Sequence, residues 1–196
     1  MVGLGNPGDR YTGTRHNVGF DVVQTFAWKA AGRPPRLDRL DCRALTGRVK
    51  VGDRPVVVAR PQTYMNASGE SVKGLALKYD VSLERLIVVS DDTALPVGAI
   101  RIRRSGSSGG QKGLQSVIDC FGTNAIPRLR LGVRGENFQP GEALDTYVLS
   151  RFSKKERPAV DEATASACEA LTVFVTEGID AAMNRFNRSP EEDPAS

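Results

Sequence analysis

Apolar positions along the chain follow two periods, and the places where the period changes mark the elements. Val2 and Leu4 read as the end of a strand, followed by the turn signal Asn6-Pro7-Gly8. Val18, Val22, Phe26 and Ala30 stand four apart, the spacing of one helix face, and Gly32 with Pro34-Pro35 stops that helix. Residues 41–60 predict two strands around Gly52-Asp53, with Val56-Val57-Val58 continuous enough for burial on both faces. A polar loop, Arg60–Ser68, then leads into a helix carrying Val72, Leu75, Ala76 and Tyr79, which Asn66 or Ser68 could cap. Leu86–Val89 has the continuous apolar character of a buried strand, and Ser90-Asp91-Asp92 follows at once.

Beyond residue 98 the pattern changes sign as well as period. Ala99, Ile100 and Ile102 alternate with Arg101 and Arg103, which predicts a strand with one apolar and one cationic face. The glycine-rich loop Ser105–Gly113 opens a helix bearing Leu114, Val117, Ile118 and Phe121. Arg128–Val133 and Tyr147–Leu149 read as further strands, the second being the last. Ser153-Lys-Lys-Glu156 is a capping box for a long helix with Val160, Ala163, Ala167, Leu171 and Phe174 on one face. Gly178 separates it from a final helix with Ile179, Ala182, Met183 and Phe186. The Pro- and Glu-containing stretch 188–196 reads as a disordered tail.

Composition narrows the function classes. At 196 residues, 40% hydrophobic and 26% charged, one globular domain is expected. The sequence has no apolar run of 18 residues and no secretory pattern in its first 30, so an intracellular, cytoplasmic protein without a membrane span is expected. Cys42, Cys120 and Cys168 are scattered, and with a single histidine neither a disulfide framework nor a metal site is suggested. The net charge of +4 hides a concentration: residues 101–134 carry seven arginines and lysines against Asp119 alone. A polyanion such as nucleic acid fits that field.

The single histidine, His16, sits where a glycine-rich loop enters a helix. Gly3-x-Gly5-x-x-Gly8 matches a dinucleotide-binding fingerprint, but only Met1-Val2 precede it and eight loop-like residues separate Gly8 from the helix, so that reading is set aside. Without a G-x-S-x-G elbow or a metal set, the economical use of His16 is as a general base toward water. An imidazole's ordinary pKa of about 6.5 suits that task. Its second nitrogen needs an acceptor, and Asp91 or Asp92 is available, with Asp91 favoured by its place after a central strand of an open α/β sheet. Asn6, Asn17 and Asn66 are neutral amides able to orient water or bind a carbonyl oxygen. The loop before Gly113 offers backbone N–H groups to phosphate, without the Gly-Lys-Ser/Thr order of a Walker A loop.

These residues together resemble the bacterial-type peptidyl-tRNA hydrolases. The resemblance rests on Val2–Gly8 with Tyr11 and Thr14–Gly19, on Arg60–Gly69, on Asp91 through Pro96, on the loop to Leu114, on Pro127–Gly132, and on Phe152 through Phe186. It implies a monomeric α/β domain over residues 1–187, a twisted mixed sheet flanked by helices, and no cofactor. It also implies hydrolysis of the ester between a nascent peptide and the terminal ribose of tRNA, recycling tRNA from stalled translation. In that family His16 would be the general base, Asp91 would hold it, and Asn6 would help to distinguish peptidyl from free aminoacyl ends. Tyr11, Tyr64, Asn66 and Lys112 would line the substrate site, and Arg103, Arg128 and Arg130 match positions at or near the tRNA phosphates of the acceptor stem and backbone. The sequence departs from the family's usual pattern at Gln111-Lys112, where His-Asn is common, and at Ser90 and Ala94, and its first strand is shorter than usual. A non-catalytic RNA-binding paralogue, of the kind used in organellar intron splicing, is the alternative that Lys112 leaves open.

Overall fold

The computed structural model describes residues 1–32, 37–136, 138 and 143–187. The expected tail at 188–196 lies outside them. β1 (Val2–Gly3) is two residues long, yet it is the centre of the sheet. It runs parallel to β4 (Arg54–Pro61) on one side and β5 (Val88–Pro96) on the other. β2 (Arg39–Asp41), β3 (Ala44–Val51) and β4 form an antiparallel meander on the first flank. On the second flank β7 (Arg128–Arg134) lies parallel to β5, and β6 (Ile100–Arg103) closes the edge antiparallel to β7. The order β2-β3-β4-β1-β5-β7-β6 makes a mixed seven-stranded sheet among the described residues, in which the chain goes from β1 to the far edge at β2, returns to β4 and then crosses over β1 to β5. In such sheets ligands bind where the order reverses, at the carboxyl ends of the parallel strands.

Alternation along the strands feeds two cores. Ile87 and Val89, with Leu129, Leu131 and Val133, face α1 (Val18–Ala31), α5 (Arg157–Glu177) and α6 (Ile179–Phe186). Val2, Leu4 and Val88 face α2 (Ser68–Lys78) and α3 (Lys112–Phe121). Period two therefore serves both layers at once, which is why the central strands read as unbroken apolar runs. Val56 and Val57 are only half-buried, because β4 projects past the short β1 on that end.

Gly3 and Gly19 explain the glycines of the first loop. A Cβ on Gly3 would stand 2.1 Å from the Gly19 carbonyl oxygen, and one on Gly19 would stand 2.5 Å from the Val89 carbonyl oxygen. These glycines let α1 lie directly on β1 and β5, a packing function with no nucleotide in it.

Three expectations need correction. Tyr147–Leu149 is not a strand; Leu144–Val148 forms the short helix α4. A three-residue apolar run has no period to decide its type, and here burying Tyr147 and Val148 while leaving Leu149 exposed suits a helical turn. β5 does not end at Val89 but continues through Pro96, so Asp91 and Asp92 belong to the strand, paired in register with Leu131 and Gly132. Neither Asn66 nor Ser68 caps α2: Ala67 holds the cap position without a side-chain bond, and the Ser68 hydroxyl is buried without a partner. The capping box is present, Ser153 and Glu156 exchanging N–H to side-chain bonds of 2.7 and 3.3 Å just before α5.

Candidate active site

His16 lies in the single turn Arg15–Asn17 that leads from the first loop into α1. Arg15 fixes that turn. Its guanidinium is buried, stacks on Tyr147 and Phe152 at 4.6 and 4.7 Å, bonds both oxygens of Glu156 at 2.9 Å, and donates to the Val133 carbonyl at 3.0 Å. Burial pushes the Glu156 carboxyl up, but hydrogen bonds from Ser153 and Arg15 outweigh it and hold the group below its ordinary range. The backbone of His16 is thus anchored through its neighbour to the start of α5.

Asn17 does the same for the first loop. Its side chain accepts from the Asn6 backbone N–H at 2.8 Å and donates to the Asn6 carbonyl at 2.9 Å. The Asn6 side-chain oxygen in turn accepts from the Met65 N–H at 2.9 Å, which ties this loop to the one carrying Tyr64 and Asn66. Among the described residues nothing accepts from the Asn6 amide nitrogen, so its two hydrogens face no protein partner there.

On the other side of the cleft, β5 supplies the acid. His16 Nδ1 and Asp91 Oδ2 are 2.8 Å apart, with Asp91 almost fully buried. A carboxylate can only accept, so Nδ1 carries the proton, and in the neutral imidazole the lone pair is on Nε2. The adjacent Asp92 takes a separate partner, Arg130, and its other oxygen accepts from Ala94 N–H at 2.7 Å. Of the two aspartates, only Asp91 reaches the imidazole.

The third wall is the glycine-rich loop at the start of α3. Gln111 is the cap residue of that helix: its Oε1 accepts from Leu114 N–H at 2.6 Å, while its Nε2 donates to Asp91 Oδ1 at 3.0 Å and to the Met65 sulfur at 3.3 Å. The bonds therefore close a ring, His16 to Asp91 to Gln111 to Met65 to Asn6 to Asn17 and back through the backbone to His16. Four separated segments of chain hold one another in place there. Gln111 was not among the residues expected at the site, because glutamine is not a usual capping residue and nothing in its neighbours signals a partner 20 positions away.

His16, Asp91, Gln111, Lys112, Arg130 and Asp145 line one cavity of about 60 Å³. That is room for a few waters, not for a nucleotide, so a large ligand must lie across its open mouth. Lys112 and Asp145 meet at this mouth, 2.6 Å apart, joining α3 to α4. The Asp145 carboxyl is held below its usual range by Lys112, with His16 adding a smaller effect of the same sign.

The remaining expected residues fall into two groups. Tyr64 and Asn66 are exposed beside the Met65 junction, and Tyr11 is half-exposed with Arg10 over its ring at 4.5 Å; none of the three lines the cavity. Arg101 and Arg103 stand directly opposite Arg130 and Arg128 across β6 and β7, so four guanidinium groups start from one face of this sheet edge. Their fates differ. Arg103 is exposed and Arg130 lines the cavity, but Arg128 is 1% exposed and donates to the carbonyls of Gly106, Ser107, Asn124 and Ile126. Arg128 stands apart from the other three: four of its N–H groups go to the backbone of the glycine-rich loop and the turn before β7, which it holds in shape.

Comparison with known proteins gives the family. The family model for peptidyl-tRNA hydrolase matches residues 1–194. The chain is 44% identical over 187 residues to the peptidyl-tRNA hydrolase of Alkaliphilus metalliredigens, covering 95% of this chain and 98% of that one. It is 44% identical over 192 residues to that of Koribacter versatilis, covering 97% and 93%. The crystal structure of peptidyl-tRNA hydrolase from Acinetobacter baumannii superposes with a TM-score of 0.85 at 32% identity, covering 95% of this chain and 92% of that one. With the match spanning nearly every residue, the chain belongs to the peptidyl-tRNA hydrolase family.

Proposed function

We propose that this chain hydrolyses the ester joining a peptide to the 3′-terminal ribose of tRNA, with His16 as the general base. The buried His16–Asp91 contact inside a water-sized cavity carries this reading. Nε2 takes a proton from a water as its oxygen attacks the ester carbonyl; Nδ1–H stays on Asp91, whose charge stabilises the imidazolium that forms. Collapse of the tetrahedral intermediate returns the proton to the departing ribose oxygen. The amide hydrogens of Asn6, without a partner among the described residues, and the exposed amide of Asn66 are suited to the carbonyl oxygen and the peptide backbone. Water and imidazole supply the chemistry, so no cofactor is called for.

The tRNA would lie over the mouth with its phosphates toward Arg103, Arg130 and Lys112, and the exposed rings of Tyr64 and Tyr11 near the peptidyl or terminal-nucleotide end. All the groups named come from one chain, so a monomer suffices. Such a substrate arises where translation runs, which points to the cytoplasm. A paralogue that only binds RNA is not favoured: the base, its acid and the Asn6 amide stand assembled, and nothing in RNA binding alone requires a buried His–Asp pair.

The test is release of N-blocked amino acids from tRNA by the purified protein. His16→Ala should lose most turnover while keeping tRNA affinity. Equal turnover by that variant would remove the assignment of the base.

A further inference from the structure

Asp91 has two oxygens, and the reaction uses only one of them. Oδ2 faces His16, while Oδ1 accepts from Gln111 Nε2 at 3.0 Å. The Gln111 amide cannot turn over, because its own oxygen is occupied by the Leu114 N–H at 2.6 Å and its second N–H points to the Met65 sulfur. A flipped amide would set Oε1 against the carboxylate and lose all three contacts. Gln111 is therefore a fixed bracket with one arm on a helix end and the other on the carboxylate.

We propose that Gln111 is a positioning residue for the hydrolytic reaction: it holds the plane of the Asp91 carboxylate so that Oδ2 stays in line with His16 Nδ1, and so keeps Nε2 aimed at the attacking water. This rests on His16 being the base. Asp91 is packed but is gripped by side chains only at its two oxygens, and with Oδ1 released the carboxylate can rotate about its Cβ–Cγ bond, a soft torsion. The rotation weakens the grip on Nδ1 and lets the ring lose its tautomer and aim. Gln111 also couples α3 to this alignment, since the same side chain caps the helix whose first residue, Lys112, stands at the mouth.

The bracket's two arms can be separated by substitution. Gln111→Ser keeps a good cap for α3, since serine is among the preferred residues there, but its hydroxyl cannot reach Asp91. Gln111→Glu keeps the length and the acceptor for Leu114 N–H but sets a second carboxylate against Oδ1. Positioning predicts that Gln111→Ser keeps its melting midpoint near the parent's, and that both variants lose roughly tenfold or more in kcat with KM changed much less. In Gln111→Ser the acid limb of the pH–kcat profile should move in the same direction as in Asp91→Asn. A second readout does not need activity: His16 is the sole imidazole, so the low-field Nδ1–H proton signal belongs to it alone. That signal should be visible in the parent and lost to solvent exchange in Gln111→Ser. A helix-capping role alone predicts instead a serine variant with parental kcat, an unmoved acid limb and an intact Nδ1–H signal, and that result overturns the proposal. If the parent protein fails to hydrolyse peptidyl-tRNA, the assigned function fails, and the proton signal still decides whether Gln111 holds Asp91.

Discussion

His16 and Asp91 are 75 positions apart in the chain and 2.8 Å apart at their side chains, one entering a helix and the other inside a strand. The short β1 brings them together, because α1 returns onto the same strand pair that β5 completes. Removing the charge while keeping the shape isolates what this contact does. Asp91→Asn is expected to lower kcat by about 10²–10⁴-fold, since an amide can hold the ring in the wrong tautomer and does not stabilise the imidazolium. Steady-state hydrolysis with KM measured alongside checks it, and a loss confined to KM would contradict the assignment.

Arg15 and Glu156 make a different kind of pair, partly buried and structural. Arg15→Ala leaves the half-buried Glu156 without its arginine partner and removes the guanidinium from between Tyr147 and Phe152, and the expected cost is about 1–3 kcal/mol of unfolding free energy. Denaturant unfolding measures this directly. Arg15→Lys should recover only part, because one ammonium cannot repeat the two-oxygen contact together with the stacking on Tyr147 and Phe152.

The arginines of β6 and β7 separate a surface role from an interior one. Arg103→Ala should weaken tRNA binding with little change in stability and should reduce the slope of log affinity against log salt by about one. Arg128→Met should instead cost stability, because four carbonyls lose their donors. Filter binding over a salt series and thermal melting of both variants test the pair. Equal behaviour of the two would contradict the burial difference.

How far these roles could be read without coordinates depends on the range of the forces involved. The helices over 18–31, 112–121 and 157–177 were legible because their apolar faces repeat within a few residues, and β3, β4 and β7 because of alternation and β-branched runs. His16 with Asp91 was legible because chemistry demands an acceptor for the second nitrogen, although Asp91 stands inside β5 and not past its end as the sequence suggested. Gln111 and Arg128 were not, since a polar side chain's partner at long range leaves no local pattern. Arg128 and Arg103 look alike in sequence, both lying on the polar phase of an alternating strand, and only the loop folding over β7 buries one of them. β2 was missed for a related reason: its three residues are two-thirds exposed and are held chiefly by pairing with β3.

Gly19 gives a sharper check of the central packing. Gly19→Ala puts a methyl group 2.5–2.8 Å from three backbone atoms of Val89 and Leu4, none of which can yield without moving a central strand. A loss of about 1–3 kcal/mol is expected from such overpacking, together with lower turnover, because the shift falls two residues after Asn17 and on the strand of Asp91. Chemical unfolding and hydrolysis assays measure both. A variant as stable as the parent would show that α1 does not lie as close to β1 as described.

Acid should unfold this protein partly through Asp41, far from the site. Lys78 is the largest influence on its carboxyl and Tyr79, donating at 2.6 Å, the next; burial opposes them, and Thr46 and Arg39 add to the lowering, so the group sits well below its ordinary value. In the unfolded chain it returns to about 3.9. A carboxyl depressed in the folded state contributes its full stability above the unfolded value and loses it as pH falls toward the folded one, because the unfolded chain takes up the proton first. The melting temperature should therefore drop below about pH 4, and Asp41→Asn should be less stable than the parent at pH 6 but lose less on acidification. Melting curves at pH 6 and pH 3 for both proteins give the comparison. Parallel losses in the two would mean that other carboxyls, Glu156 with its Arg15 partner foremost, carry the acid response instead.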